Sequence, residues 1–242
     1  DDFDQTKILR DYITDQELYE KIVDRYESKK SNEDLFIMSI SMQNHGGYTE
    51  KYDNFDEKAR MLGINYPDVN QYLSLIHESD SALEYLISYF EKVDDPVEIV
   101  FFGDHQPSLS SSFYPYLNGK GLGGLTLSEL ENLYTVPFFI WTNYDSEKEN
   151  VELTSLNYLS TLALERAGIT LPAYNQFLAD MMEEIPAVNS RGFYSKSQGR
   201  FLHVEDAAGE DARWLKNYEI LQYNNMFDKR NKSELFFPYL KQ

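Results

Sequence analysis

The stretch Val97-Glu98-Ile99-Val100-Phe101-Phe102, continued by Gly103-Asp104-His105, decides the fold. A short, mostly apolar run that stops at a glycine predicts a buried strand, and the glycine lets the chain turn sharply. Asp104 and His105 then leave the C-terminal end of that strand together. A carboxylate beside an imidazole suits a divalent cation, although a helix cap or a local hydrogen bond is the more common use of such a pair.

A second run, Leu35-Phe36-Ile37-Met38-Ser39-Ile40-Ser41-Met42, has the same character and predicts another buried strand. The loop Asn44-His45-Gly46-Gly47 follows it. Ligands of α/β sheets bind beyond the C-terminal ends of the strands, so we expect His45 to lie near His105. The two glycines leave room for a large anion beside His45, although an ordinary loop imidazole is the alternative.

The remaining pattern alternates helices and strands. One helix is predicted after Thr14, its N-cap, with Glu17 completing a capping box, and another begins at Pro67. Further predicted elements are helices over about 155–167, 173–183 and 207–226, a strand over 136–141, a surface loop over 106–126 and a hairpin over 192–204. This order predicts an α/β fold with a mainly parallel central sheet and helices on both faces. Residues 1–185 would form the main part, and 186–242 a smaller α+β subregion.

The net charge restricts the class of partner. The chain of 242 residues has 22 Lys and Arg against 41 Asp and Glu, which gives a net charge of −19. Nucleic acid is excluded as a partner because its binding requires a basic surface, and an anionic substrate has to be received by a local positive group. The chain has no cysteine, which excludes thiolate chemistry.

Two motifs in this order resemble a known family. Gly103-Asp104-His105-Gln106-Pro107 resembles the Gly-Asp-His metal motif of the alkaline-phosphatase/sulfatase superfamily, as found in lipoteichoic-acid-synthase-like phosphoglycerol transferases. Met42-Gln43-Asn44-His45-Gly46-Gly47-Tyr48 resembles the Asn-His-Gly loop of that family, whose histidine faces the phosphate group. Three more segments match in order: Val136-Pro137-Phe138 before Trp141-Thr142-Asn143, Ser155-Leu156-Asn157-Tyr158-Leu159, and Leu221-Gln222-Tyr223-Asn224-Asn225.

The resemblance implies an alkaline-phosphatase-like fold and a set of site residues. Asp104 and His105 would bind one divalent metal ion, Mn or Mg, with two further ligands: an acidic residue and the nucleophilic threonine, both N-terminal to this segment. His45 would be catalytic, and Asn44 and His45 would bind the substrate. Because the nucleophile is expected outside the chain, the fragment alone is expected to be inactive.

The resemblance also implies a function in synthesis of a cell-envelope polymer. The enzyme would move a phosphoglycerol group from a phosphatidylglycerol-like lipid head group to a glycerol-phosphate or sugar acceptor. It would work at the extracellular face of the cell membrane, anchored by a segment not in this chain, with the missing N-terminal half of the domain as a partner. A sulfatase, a phosphoethanolamine transferase of the same superfamily, and a non-catalytic binding module remain alternatives.

Overall fold

A computed structural model describes residues 3–228, 230, 233 and 235–236. The helices and strands form two compact units, one comprising residues up to Val97 with His105–Leu122, the other Glu98–Asp104 with residues from Gly123 onward. The elements, in chain order, are β1 Ile8–Leu9, β2 Tyr12–Ile13, α1 Asp15–Ser28, α2 Pro67–Phe90, β3 Glu98–Phe102, α3 Phe113–Asn118, α4 Leu127–Asn132, β4 Phe138–Thr142, α5 Leu156–Arg166, α6 Ala173–Glu184, β5 Gly192–Ser195, β6 Arg200–His203 and α7 Gly209–Met226.

The first unit contains the packed pair α1 and α2, both predicted from the sequence. Proline at the first position of α2 suits a helix start, because its missing N–H would have no intrahelical partner there. The apolar stripes of the two helices supply buried side chains, and the ring of Tyr26 meets that of Phe90 edge-on with centroids 5.1 Å apart. The buried apolar residues of this pair are Tyr19, Val23, Val69, Leu75, Ala82, Leu86 and Phe90.

The predicted capping box at the start of α1 is only half present. Thr14 Oγ1 accepts a hydrogen bond from the Glu17 N–H at 3.2 Å, as expected of an N-cap. The Glu17 carboxylate instead accepts from the Asp4 N–H at 2.9 Å and pairs with Lys7 Nζ at 2.9 Å. A buried carboxylate takes the strongest donors within reach, and here they come from the N-terminal segment.

The second unit has its core beneath α5, α6, α7 and the β5–β6 hairpin. The buried cluster is formed by Tyr158, Leu178, Met181, Ile185, Phe193, Leu202 and Tyr218. The buried side-chain hydroxyl of Tyr158 has a hydrogen-bond partner, because it donates to the Ile185 carbonyl at 2.7 Å. The predicted helices and the hairpin in this part of the chain are confirmed.

Strand β3 pairs with β4 in antiparallel register, with Val100 opposite Ile140. The turn after β3 begins with Gly103, whose N–H donates to the Pro137 carbonyl at 3.1 Å. A Cβ atom on Gly103 would lie 3.0 Å from the Cβ of Val136, so a larger residue would require the Val136 side chain to shift by a few tenths of an ångström. Glycine therefore suits the close approach of the neighbouring segment.

The mainly parallel sheet is not confirmed: within the described residues, the three sheets are two-stranded and antiparallel. The predicted strand over residues 35–42 is wrong, because that segment has no regular secondary structure. Its apolar side chains are exposed, with Phe36 at 90% and Ile40 at 74%. A strand exists only by pairing with a neighbour, and a buried one needs partners on both sides. The described residues supply none to this segment.

Two further sequence predictions concern organisation. The predicted surface loop over residues 106–126 is wrong in part, because it contains α3 and a turn of 3₁₀ helix at Leu122–Gly124. The predicted division at residue 185 stays a prediction; residues on both sides of it belong to the second unit. None of the helices in the described part of the chain has the length and apolarity required to cross a bilayer.

Truncation of Phe193 tests the core of the second unit. Phe193 is fully buried in that core, so Phe193→Ala should lower the free energy of unfolding by about 3–5 kcal/mol through lost burial and a cavity. Phe227→Ala is the matched control, because Phe227 is 64% exposed in the same unit and its truncation should change stability by less than about 0.5 kcal/mol. Urea unfolding followed by tryptophan fluorescence measures both, since Trp141 and Trp214 lie in this unit. Equal losses would contradict the assignment of the core.

Candidate functional site

A tight hairpin places Arg10 under the His45 loop. Strands β1 and β2 pair with Leu9 opposite Tyr12, which leaves Arg10 and Asp11 as the two turn residues. Arg10 has φ of +56°, a left-handed conformation that is uncommon for residues other than glycine. The side chain of Asn54 supports the turn by donating to the Ile8 and Arg10 carbonyls at 3.2 and 3.0 Å.

The guanidinium of Arg10 is buried, with the residue only 3% exposed, and is partnered by oxygen atoms. Nη1 donates to Gln71 Oε1 at 3.0 Å, and Nη2 donates to the carbonyls of His45 and Gln43. Tyrosine rings lie 5.5–5.9 Å from its central carbon: Tyr12, Tyr48 and Tyr52. A buried cation requires such partners. The hydrogen bonds from Arg10 therefore fix the position of the His45 backbone.

The His45 side chain is exposed, and among the described residues its ring is bonded to Tyr12. Nδ1 lies 3.1 Å from the Tyr12 hydroxyl, and the two rings have centroids 5.5 Å apart at an angle of 56°. The loop turns back after His45 at Gly47, where φ is +97°, a conformation suited to glycine. The imidazole is therefore fixed on one edge while the residue remains accessible to solvent.

Asn44 belongs to a hydrogen-bond network beneath the loop. Its Nδ2 donates to Ser79 Oγ at 2.7 Å, and Ser79 Oγ in turn donates to Asp15 Oδ2 at 2.6 Å. Gln43 Oε1 accepts from the Asp15 N–H at 3.0 Å, and the Tyr48 hydroxyl donates to the Asn44 carbonyl at 2.8 Å. These contacts fix the loop to α1 and α2. The substrate-binding role of Asn44 stays a prediction.

Asp15 is the buried charge of this network. Its removal from water raises its pKa above the ordinary value, while hydrogen bonds from Ser79 and Ser41 act in the opposite direction. The ionised carboxylate therefore depends on the Ser79 hydroxyl.

Asp104 and His105 follow β3 and are both exposed. The Nδ1 atom of His105 lies 2.9 Å from the Gln106 carbonyl oxygen, an acceptor only, so Nδ1 carries the proton and donates. That tautomer has its lone pair on Nε2, which is the arrangement common in metal-binding histidines. Within the described residues, no group of three or more His, Cys, Asp and Glu side chains is placed to hold a metal.

Sequence reasoning missed Arg10, Tyr12 and Ser79. They are separated from His45 by more than 30 positions, and no local pattern marks them as partners of that loop. A lone arginine in a polar N-terminal segment is ordinarily a solvated charge.

Comparison with known proteins identifies the family. The family model described as "Sulfatase" matches residues 1–169, more than half of the chain. The chain belongs to the sulfatase family. The membership inferred from the Gly-Asp-His and Asn-His-Gly motifs is confirmed.

Three similar proteins show how far the likeness extends. The "Putative cyclic beta-1,2-glucan modification protein" of Rhizobium meliloti (strain 1021) is 22% identical over 93% of this sulfatase-family chain and 36% of its own length. The "Capsular polysaccharide biosynthesis protein RkpI" of the same organism is 36% identical over 43% of this chain and 18% of its own. The structure of the Streptococcus pyogenes phosphoglycerol transferase GacH in complex with sn-glycerol-1-phosphate has a TM-score of 0.61 at 20% identity.

The last comparison covers 90% of this chain and 50% of the GacH chain, and it supports the alkaline-phosphatase-like fold. The chain thus spans about a third to a half of the length of the two proteins that it matches over most of its own length.

Removal of the Ser79 hydroxyl tests the network under the His45 loop. Ser79→Ala should lower the free energy of unfolding by about 1–3 kcal/mol at neutral pH, because the buried Asp15 carboxylate loses its hydrogen bond. A raised folded-state pKa means that Asp15 favours folding when protonated and that this contribution is lost as the pH rises through the folded pKa. Ser79→Ala raises that pKa further, so its cost should be larger at neutral than at acidic pH.

The measurement is urea unfolding followed by far-ultraviolet circular dichroism at both pH values. Ser81→Ala is the control on the same helix; its exposed hydroxyl donates to the His77 carbonyl at 3.1 Å, and its loss should cost less than about 0.5 kcal/mol. If the cost of Ser79→Ala does not change with pH, the Ser79 hydroxyl does not affect the ionisation of Asp15.

Proposed function

We propose that this chain is part of a metal-dependent enzyme that transfers a phosphoglycerol group from a phosphatidylglycerol-like lipid to a cell-envelope polysaccharide. The observation that carries the proposal is the fold match to a phosphoglycerol transferase solved with glycerol phosphate, in a chain of the sulfatase family. The names of the two Rhizobium meliloti relatives refer to modification of a glucan and synthesis of a capsular polysaccharide, which favours a sugar polymer as acceptor.

The proposed metal ligands are Asp104 and His105, with Mn or Mg as the ion. The carboxylate and the imidazole suit a divalent cation, and the His105 hydrogen bond to the Gln106 carbonyl supports the tautomer that binds one. The ion would supply positive charge to the phosphoryl oxygens and lower the pKa of a bound hydroxyl. Two protein ligands are too few, so the proposal assigns the acidic ligand and the nucleophilic threonine to the remainder of the domain.

His45 would act on the phosphoryl group itself. The exposed imidazole can donate a hydrogen bond to a non-bridging oxygen or to the leaving group, and its loop is held by Arg10 and Tyr12 before any ligand arrives. Asn44 would bind the substrate beside His45. Preorganised donors of this kind matter here because the chain carries a net charge of −19, which opposes the approach of an anion.

The remainder of the domain is the proposed partner of residues 35–42. This segment exposes six large apolar side chains, more than a soluble surface usually presents in one place: Leu35, Phe36, Ile37, Met38, Ile40 and Met42. The matched proteins are two to three times as long as this chain, so they contain additional sequence that could pair with such a segment. The proposed location is the extracellular face of the membrane, with the anchor outside this chain.

An activity assay of the protein that carries this chain and the remainder of the domain tests the proposal. Vesicles containing phosphatidylglycerol are supplied with Mn and a glucan acceptor, and diacylglycerol release is measured. We expect Asp104→Ala to reduce turnover by at least about 100-fold, because losing a metal ligand should cost more than losing a residue that only hydrogen-bonds to a ligand. Asp80→Ala, which removes an exposed carboxylate from α2, should leave turnover unchanged.

The same assay distinguishes the alternatives. Turnover of a sulfate ester without release of diacylglycerol would show that the enzyme is a sulfatase and not a phosphoglycerol transferase. Absence of metal binding in a calorimetric titration with Mn, together with no turnover, would indicate a non-catalytic binding module. Metal-dependent turnover of a nitrophenyl phosphate ester by the 242-residue chain alone would show that the nucleophile lies within it.

A further inference from the structure

The contact between Tyr12 and His45 bears on the tautomer of the imidazole as well as on the position of the ring. A neutral imidazole has one N–H donor and one bare nitrogen acceptor, and the hydrogen bond at one nitrogen sets which form is present. Here the bond is made at Nδ1, 3.1 Å from the Tyr12 hydroxyl. A phenol is a much stronger acid than a neutral imidazole N–H, which favours the hydroxyl as the donor and Nδ1 as the acceptor.

The second ring nitrogen, Nε2, then carries the proton. His45 is exposed, and no hydrogen bond joins Nε2 to the residues that the structure describes. The loop therefore presents an N–H donor that Tyr12 has oriented and that an anionic oxygen can accept. The opposite tautomer would present a lone pair, which repels a phosphoryl oxygen.

The backbone of the same residue is held independently of the ring. Arg10 Nη2 donates to the His45 carbonyl, and the Tyr48 hydroxyl donates to the preceding carbonyl at 2.8 Å. With the backbone fixed by these bonds, removal of the Tyr12 hydroxyl should release the ring without releasing the loop. The effect of Tyr12 on the tautomer can thus be separated from an effect on the fold.

We propose that Tyr12 is a positioning residue that holds His45 in the Nε2–H tautomer, so that Nε2 donates to a phosphoryl oxygen of the substrate. The inference rests on the proposed function for the identity of the acceptor. The tautomer itself is a property of this chain and does not depend on the reaction.

The first experiment measures the tautomer in the 242-residue chain, without metal or substrate. Long-range proton–nitrogen correlation spectra of the ¹⁵N-labelled chain, recorded where the imidazole is neutral, report the protonation of each ring nitrogen. The chain has four histidines, and the His45 signal is identified as the one lost in His45→Gln. We expect His45 to show a protonated Nε2 and a bare, hydrogen-bonded Nδ1. In Tyr12→Phe the two nitrogen shifts should move toward each other as the second tautomer gains population.

Tyr52→Phe is the matched control. The Tyr52 ring also lies beside the Arg10 guanidinium, at 5.6 Å, but its hydroxyl is bonded to Asp11 and not to His45. It should leave the His45 shifts unchanged. Unchanged shifts in Tyr12→Phe, or equal changes in both variants, would overturn the inference.

The second experiment measures kinetics in the protein with the complete domain. A hydrogen bond that strengthens as charge develops should affect kcat and leave KM nearly unchanged, so Tyr12→Phe should lower kcat about 5- to 10-fold. Loss of loop structure would raise KM instead, and that result would overturn the positioning role. If the tautomer changes as expected while His45→Gln retains full activity, the proposed function of the loop fails and the tautomer assignment stands.

Discussion

The burial of one positive charge governs the candidate site. The Arg10 guanidinium lies in the interior of the first unit, where a cation without partners would be strongly destabilising. Its partners are backbone carbonyls of the loop that carries His45, so the need to satisfy the charge becomes a constraint on the position of that loop. The uncommon backbone conformation at Arg10 is tolerated because these contacts hold it there.

A second layer of polar contacts supports the loop from below. Ser79 on α2 joins the Asn44 amide to the Asp15 carboxylate at the start of α1, so both helices of the first unit determine where the loop lies. Loss of any one of these contacts would leave a buried polar group unsatisfied, so the network resists displacement of the loop. The catalytic candidate, His45, is consequently supported before any ligand binds.

The exposure of the apolar segment at residues 35–42 is explained by the lack of a neighbouring strand in the described part of the chain. Its side chains are those of a buried strand, but the described residues provide no neighbouring strand to bond its backbone groups. The contacts that such an apolar run makes when it is a strand of a sheet are absent among the described residues. The short antiparallel sheets do not replace them.

The sequence by itself determined the elements whose signals are local. Thr14 and Pro67 marked helix starts, a hairpin was predicted over residues 192–204, and the order of the Asn-His-Gly and Gly-Asp-His motifs identified the family. Such signals act over a few residues, through caps, turns and the spacing of apolar side chains. Only the tertiary structure decided that residues 35–42 lack a strand, that β3 and β4 are antiparallel, and that Arg10 and Tyr12 hold His45. Each of these depends on a partner distant in the chain, because strand pairing and the neutralisation of a buried charge are satisfied across space and leave no periodic trace in the sequence.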